Sequence, residues 1–399
     1  MRPLAITGLG VVSPIGIGRA AFLAALRDPE AAQRRAFAQP SSVLSGARFA
    51  GAQVAEVTDF DAAQFLGDKG LRNFDRLTRM LIVVAKHALE DAGVKRDGAF
   101  IGVAPERVGI CTATAYGALD SITEINRVAE LEHPRFLNPS RFPNTVINSA
   151  AGYASIWEGL EGPNVTIVDG NCGSADAVLT AETHLSADRA DVLLVGGAEV
   201  LSEPLYLAFE KLGALDGRGS EQAGRSGGAR LGEGAALCAL EDAAAARRRG
   251  AHVHAELIGY GTAFEAPAGE ARLVHAAGRA VERALRAALS DAALAPSEID
   301  LICCAEGGVG RIDAAERAGL ARVFGAEPLR VASKAIWGET FGAACALSTA
   351  ATLAWLAGTP PPGSAQRGAP AREIRHVLIT ALGYYGNVSA LIVRRGSLS

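Results

Sequence analysis

The chain has 399 residues, 49% of them hydrophobic, with 46 glycines. Its 39 basic and 43 acidic side chains leave a formal net charge of −4, which excludes the strongly basic balance of a nucleic-acid binder, and no polybasic run marks a membrane-surface protein. The length exceeds one typical domain, yet an α/β protein of this size can close around a single core.

In chain order, short apolar runs predict strands at 4–7, 108–112, 165–169, 192–195 and 236–240. A second set is predicted at 254–259, 301–305, 329–332, 377–380 and 390–393. Helical periodicity falls between many of them, as at 72–92, 173–187 and 279–289. This alternation predicts an α/β protein with sheets covered on both faces. The strands divide into two similar halves, 1–249 and 250–399, with a seam near Gly250 and no separating linker. Residues 4–18 are apolar, but Gly and Pro interrupt them and no basic flank frames a signal peptide, so a cytoplasmic protein is expected. Residues 340–366 carry no charge and are rich in Ala, Gly, Ser and Thr; a helix buried inside the protein explains them better than a membrane span. The run Arg247-Arg248-Arg249 is expected to complete a helix end before Gly250, where cations favour the dipole. The six cysteines (111, 172, 238, 303, 304 and 345) form no CxxC pair, and His252 and His254 alternate along a strand start. They read as buried thiols and solvated or satisfied histidines, with no metal site.

The segment Gly162-Pro163-Asn164-Val165-Thr166-Ile167-Val168-Asp169-Gly170-Asn171 reads as a tight turn, a buried strand and a sharp exit into a helix. A side chain at such an elbow sits on a helix N-terminus, where the peptide dipoles favour negative charge and lower thiol pKa values. That is a natural seat for a nucleophile. Asn171 cannot serve as one, since its amide neither ionises nor attacks. Cys172 stands one residue on, and a step of about 100° around the helix turns its thiol away from the same pocket.

Residues 4–16 (LAITGLGVVSPIG), 72–94 (RNFDRLTRMLIVVAKHALEDAGV), 162–167, 190–199 (ADVLLVGGAE) and 232–241 (GEGAALCALE) resemble the β-ketoacyl synthases, the condensing enzymes of fatty acid and polyketide synthesis. The resemblance covers nearly the whole chain and implies a thiolase-like fold of five layers, α-β-α-β-α. It also places the family's catalytic Cys at Asn171. The family's HGTxTxxGD stretch corresponds to residues 306–313 (EGGVGRID), so one catalytic His has become Glu306 and two pantetheine-holding Thr have become Gly308 and Gly310. The KxxxGHxxGAAG stretch corresponds to 334–345 (KAIWGETFGAAC), where the second His has become Glu339. The FGFGGTN loop corresponds to 382–388 (LGYYGNV). Lys334 and Glu316 are retained from the family pattern, which implies a buried polar pair beside the site, with Asp313 kept alongside. Glu306 and Glu339 are expected to compete for the Lys334 ammonium.

A thiolate is needed to hold an acyl group, and neutral donors are needed beside a developing enolate. Carboxylates in their place oppose both, so no ketosynthase activity is expected from the chain alone. An amide at the Cys position with both His lost resembles the chain-length factor, or ketosynthase β subunit, of type II polyketide synthases, although Gln is the commoner residue there. The resemblance implies a heterodimer with a catalytic ketosynthase, transient docking of an acyl carrier protein, and no cofactor beyond the phosphopantetheine that carries the substrate. It implies that Leu119, Ile122 and Asn126, at spacings that share one helix face, project into the tunnel end, and that Arg141 and Phe142 in 139–148 (PSRFPNTVIN) meet the partner. Ordinary interface or surface packing is the competing reading of these five residues. Two other functions stay open: a repurposed acyl hydrolase, dehydratase or acyltransferase using Glu306, Glu339 or Cys172, and a degenerate structural homodimer.

Overall fold

The computed structural model describes residues 1–216, 228–267, 274–325, 328–363 and 373–396. Ten strands carry the architecture. The first five are β1 (Leu4–Ser13), β2 (Val108–Ala113), β3 (Asn164–Ile167), β4 (Val192–Glu199) and β5 (Gly234–Asp242). The second five are β6 (Ala255–Phe264), β7 (Leu301–Cys304), β8 (Leu329–Ala332), β9 (His376–Leu382) and β10 (Asn387–Arg395). All ten predicted strands are present, most of them longer than their apolar cores.

The first set is ordered β3-β2-β4-β5-β1 and the second β8-β7-β9-β10-β6, so the two halves repeat one topology. In each, the three strands farthest from the seam are parallel and the other two pairings are antiparallel. The two sheets also join: β1 pairs antiparallel with β6, Leu4 opposite Leu257 and Ile6 opposite Ala255, so the ladder runs unbroken through both halves.

Seven helices build the layers: α1 (Arg76–Asp91), α2 (Leu119–Arg127), α3 (Ser149–Glu158), α4 (Gly173–Ser186), α5 (Gly278–Asp291), α6 (Gly310–Phe324) and α7 (Ala344–Leu356). Helices α1 and α3 cover the outer face of the first sheet, α5 with α6 that of the second, and α4 and α7 lie between the sheets. This is the five-layered thiolase-like fold. Helix α1 starts at Arg76 rather than 72 because Asp75 caps it, its carboxylate accepting from Thr78 N at 2.8 Å. Both halves use the same close approach of strand to helix. A Cβ at Gly10 would lie 1.9 Å from Val84 O of α1, and one at Gly261 would lie 2.2 Å from Ala284 O of α5.

Every residue of α7 is buried, which accounts for the missing charge; residues 364–366 of that predicted stretch lie outside the described residues. No helix among the described residues is long and apolar enough to cross a membrane. The arginine run does more than end a helix. Arg249 bonds the buried Glu241 at 2.5 Å and Arg247 bonds the buried Glu256, so the helix end is tied to β5 and β6 by charge. The strand starts only after His254, which bonds Asp91 at 2.9 Å.

Candidate functional site

The turn Gly170–Cys172 delivers Asn171 to the N-terminus of α4, between the sheets, with only 2% of its surface exposed. From the other half, Lys334 follows β8 in a short helix that ends at Gly338, whose φ of 85° turns the chain back. Glu339 is then stitched in place by Glu339 N donating to Arg230 O (2.8 Å) and by Gly232 N donating to Glu339 O (2.9 Å).

Four donors converge on the Glu339 carboxylate. Lys334 Nζ lies 2.7 Å, Tyr384 Oη 2.9 Å and Asn171 Nδ2 3.1 Å from Oε2, while Phe341 N lies 2.9 Å from Oε1. A buried carboxylate is tolerated when it is paired and its remaining lone pairs are met, and this one is. Burial, reinforced by the Glu339 carboxylate, pushes the Tyr384 phenol well above its usual range. The Asn171 Oδ1 atom is buried without a donor.

Beside this cage Phe341 holds φ at 43°, a left-handed conformation that costs a bulky side chain about 1–3 kcal/mol. Hydrogen bonds on both sides keep it there: Phe341 N donates to Glu339, and Gly342 N donates to Glu199 at 3.2 Å. Consequently α7 begins at Ala344, after a single 3₁₀ turn. The fully buried Glu199 also accepts from Ala115 N (2.6 Å), Thr114 Oγ1 (3.0 Å) and Tyr116 N (3.2 Å). It thereby fixes the turn that starts α2. Sequence reasoning gave roles to neither Glu199 nor Tyr384. The signals were a carboxylate closing the apolar strand 190–199 and a phenol where the FGFGGTN loop has an apolar ring.

Two expectations about charge pairing are corrected, while Glu339 does reach the Lys334 ammonium as expected. Lys334 pairs with Glu339, not Glu316. Glu316 instead accepts from Ala305 N at 2.8 Å and from the Thr380 hydroxyl. Glu306 does not compete for Lys334; it turns outward to Arg317, 3.4 Å away, and burial raises its pKa. Asp313 caps the 307–308 turn, accepting from Gly307 N (3.1 Å) and Gly308 N (3.0 Å). The polar residues 313, 316 and 334 therefore serve three different partners, because Gly338 folds Glu339 onto the ammonium first.

Burial raises the Glu316 pKa to about 7 from an ordinary 4.5. The folded state then holds a proton that the unfolded chain releases, so this contribution is full below pH 4.5 and is lost as pH rises through 7. Between pH 4.5 and 8 the stability of the native protein relative to Glu316→Gln is expected to fall by about 2–3 kcal/mol, read from urea midpoints. A pH-independent difference would contradict it.

Cys172 is fully buried and its Sγ lies 3.3 Å from Ala381 O of β9. Burial, with Asp176 and Asp169 nearby, raises its pKa well above the usual thiol value, so the thiol is packed and unactivated. Gly308 and Gly310 differ in the space around them. A Cβ at Gly308, where φ is 92°, would lie 2.1 Å from Gly228 O, whereas one at Gly310 meets nothing within 4 Å. The chain's own backbone thus closes over position 308.

On α2 the three tunnel candidates are graded. Leu119 is half-buried against the chain's own apolar cluster, Ile122 is half-buried, and Asn126 is exposed. Arg141 and Phe142 are both exposed on the 3₁₀ run Pro139–Thr145, Phe142 at 65%.

The sequence matches the family description "Beta-ketoacyl synthase, N-terminal domain" over residues 1–246 and "Beta-ketoacyl synthase, C-terminal domain" over 254–364. The chain belongs to the β-ketoacyl synthase family. Among curated members it is 30% identical to the 3-oxoacyl-[acyl-carrier-protein] synthase 2 of Coxiella burnetii, across 90% of this chain and 87% of that protein. It is also 30% identical to the oxytetracycline polyketide β-ketoacyl synthase 1 of Streptomyces rimosus, across 98% of this chain and 97% of that one. The fold is that of the ishigamide ketosynthase/chain length factor, with a TM-score of 0.85 at 23% identity over 99% of this chain and 100% of the other. It is also that of the ketosynthase ApeO in complex with its chain length factor ApeC from Xenorhabdus doucetiae, with a TM-score of 0.77 at 18% identity over 99% and 98%. In this member of the family, positions 171, 306 and 339 hold an amide and two carboxylates.

Proposed function

We propose that the chain is the non-catalytic, chain-length-factor subunit of a type II polyketide or polyene synthase, paired with a ketosynthase that supplies the thiol and both histidines. One observation carries this reading: the position of the nucleophile holds an amide bonded to a salt-bridged carboxylate, Asn171 to Glu339 at 3.1 Å and Glu339 to Lys334 at 2.7 Å. Such a centre can neither carry an acyl group nor steady an enolate. The resemblance in fold to ketosynthase/chain length factor assemblies supports the pairing. The halves 1–249 and 250–399 act as one unit in it. The acyl carrier protein brings its substrate on phosphopantetheine, and the chain needs no cofactor of its own.

The enzyme alternative is not favoured by the geometry: Cys172 is packed, Glu339 is locked in its cage, and Glu306 faces Arg317. Intact-mass spectrometry of the co-expressed pair, incubated with acyl-carrier protein, is expected to show an acyl adduct on the partner alone. An adduct on this chain overturns the reading.

Within the pair, α2 shapes the tunnel end. Since Leu119 packs inward, bulk at Ile122 is what projects from this helix, and Ile122→Trp is expected to shorten the products because sharp length control requires a physical stop. Unchanged product length in an active pair removes α2 from the tunnel.

A further inference from the structure

We propose that Lys334, Tyr384, Asn171 and the Phe341 amide form a carboxylate-binding site whose resident ligand in the native protein is the side chain of Glu339. The geometry has the features of a receptor for a small anion. Two hydroxyl or ammonium donors and two amide donors reach both oxygens at 2.7–3.1 Å, and they come from three separated chain segments, around 171, 334–341 and 384. One donor is charged and nine-tenths buried: the Lys334 side chain is 5% exposed, against 2% for Glu339. Gly307 completes the wall, where an added Cβ would lie 3.3 Å from Glu339 Oε2.

This occupancy explains how the centre is shut. An external carboxylate must displace a tethered one whose effective concentration is far higher, so the native site is closed to acetate-like and malonate-like groups. Removing the Glu339 side chain leaves Lys334 buried and uncompensated, a cost that an added carboxylate relieves by binding only the folded state. The ligand class is a monocarboxylate of one to three carbons, because the vacated space is that of a Glu side chain.

The test uses the full chain in the assembly in which it purifies. Glu339→Gly is expected to lower the melting temperature by roughly 5 °C. Sodium acetate or formate is expected to restore it with saturation, whereas sodium chloride and neutral acetamide do not. The native protein is expected to show no such response, and Asn171→Ala/Glu339→Gly a weaker one. If Glu339→Gly is too unstable to melt cooperatively, its refolding yield from urea in acetate against chloride reads the same quantity. A response to acetate no larger than that to chloride, or an equal response in the native protein, overturns the proposal. The inference concerns the same centre as the subunit reading but its readout needs no catalysis. A product-forming pair with an unresponsive variant defeats this proposal alone, and an acyl adduct on the native chain defeats the subunit reading.

Discussion

Gly308→Thr, which installs the threonine that the resemblance implies for this position, is expected to destabilise the protein by about 3 kcal/mol or more. Two costs add. The backbone there has φ 92°, which a β-branched residue adopts only under strain. The new Cβ would also sit 2.1 Å from Gly228 O and 2.7 Å from Gly228 C, both backbone atoms with no rotamer to yield. Gly310→Thr is the contrasting case. Position 310 opens α6 with free space around it, and the change is expected to stay within about 0.5 kcal/mol. Urea denaturation of the two variants side by side gives the comparison. Equal effects would mean that the 306–310 loop follows another path. At 308 the chain's own backbone fills the place a side chain would take.

Asn171→Cys is expected to leave the protein unacylated, with loading at least about 100-fold below that of a cysteine-bearing partner. The helix N-terminus favours a thiolate, but the present amide nitrogen lies 3.1 Å from the Glu339 carboxylate. A like charge at that range raises the thiol pKa, and each unit removes tenfold of the thiolate at neutral pH. Asn171→Cys/Glu339→His replaces the anion with a neutral donor and is expected to recover iodoacetamide reactivity by about 10–100-fold. Alkylation rates against pH, together with intact-mass detection of acyl adducts, read both variants. Comparable loading of the single variant would show that Glu339 does not control the centre.

Much of the fold was legible in the chain. Strand positions follow from apolar β-branched runs, which need a covered sheet wherever they occur. The buried helix α7 follows from an uncharged small-residue stretch that no surface helix would carry. The start of α1 was misplaced by four residues because Asp75, a cap, reads in sequence like any polar residue inside a periodic stretch. The join of β1 to β6 left no signal, since edge pairing is made by backbone groups common to all residues. The purpose of Arg247 and Arg249 was half visible: a helix end attracts cations, but Glu241 and Glu256 as buried counter-charges depend on how three elements meet.

The sequence by itself determined which chemical groups stand at 171, 306 and 339, because side-chain chemistry is a local property. Only the tertiary structure decided which carboxylate takes the lysine. Glu339 and Asn171 are 168 residues apart in the chain, and Glu339 and Tyr384 are 45 apart. A direct ion pair with hydrogen bonds needs contact within about 4 Å, so the outcome depends on backbone turns such as Gly338 that place one carboxylate on the ammonium, while the other meets Arg317.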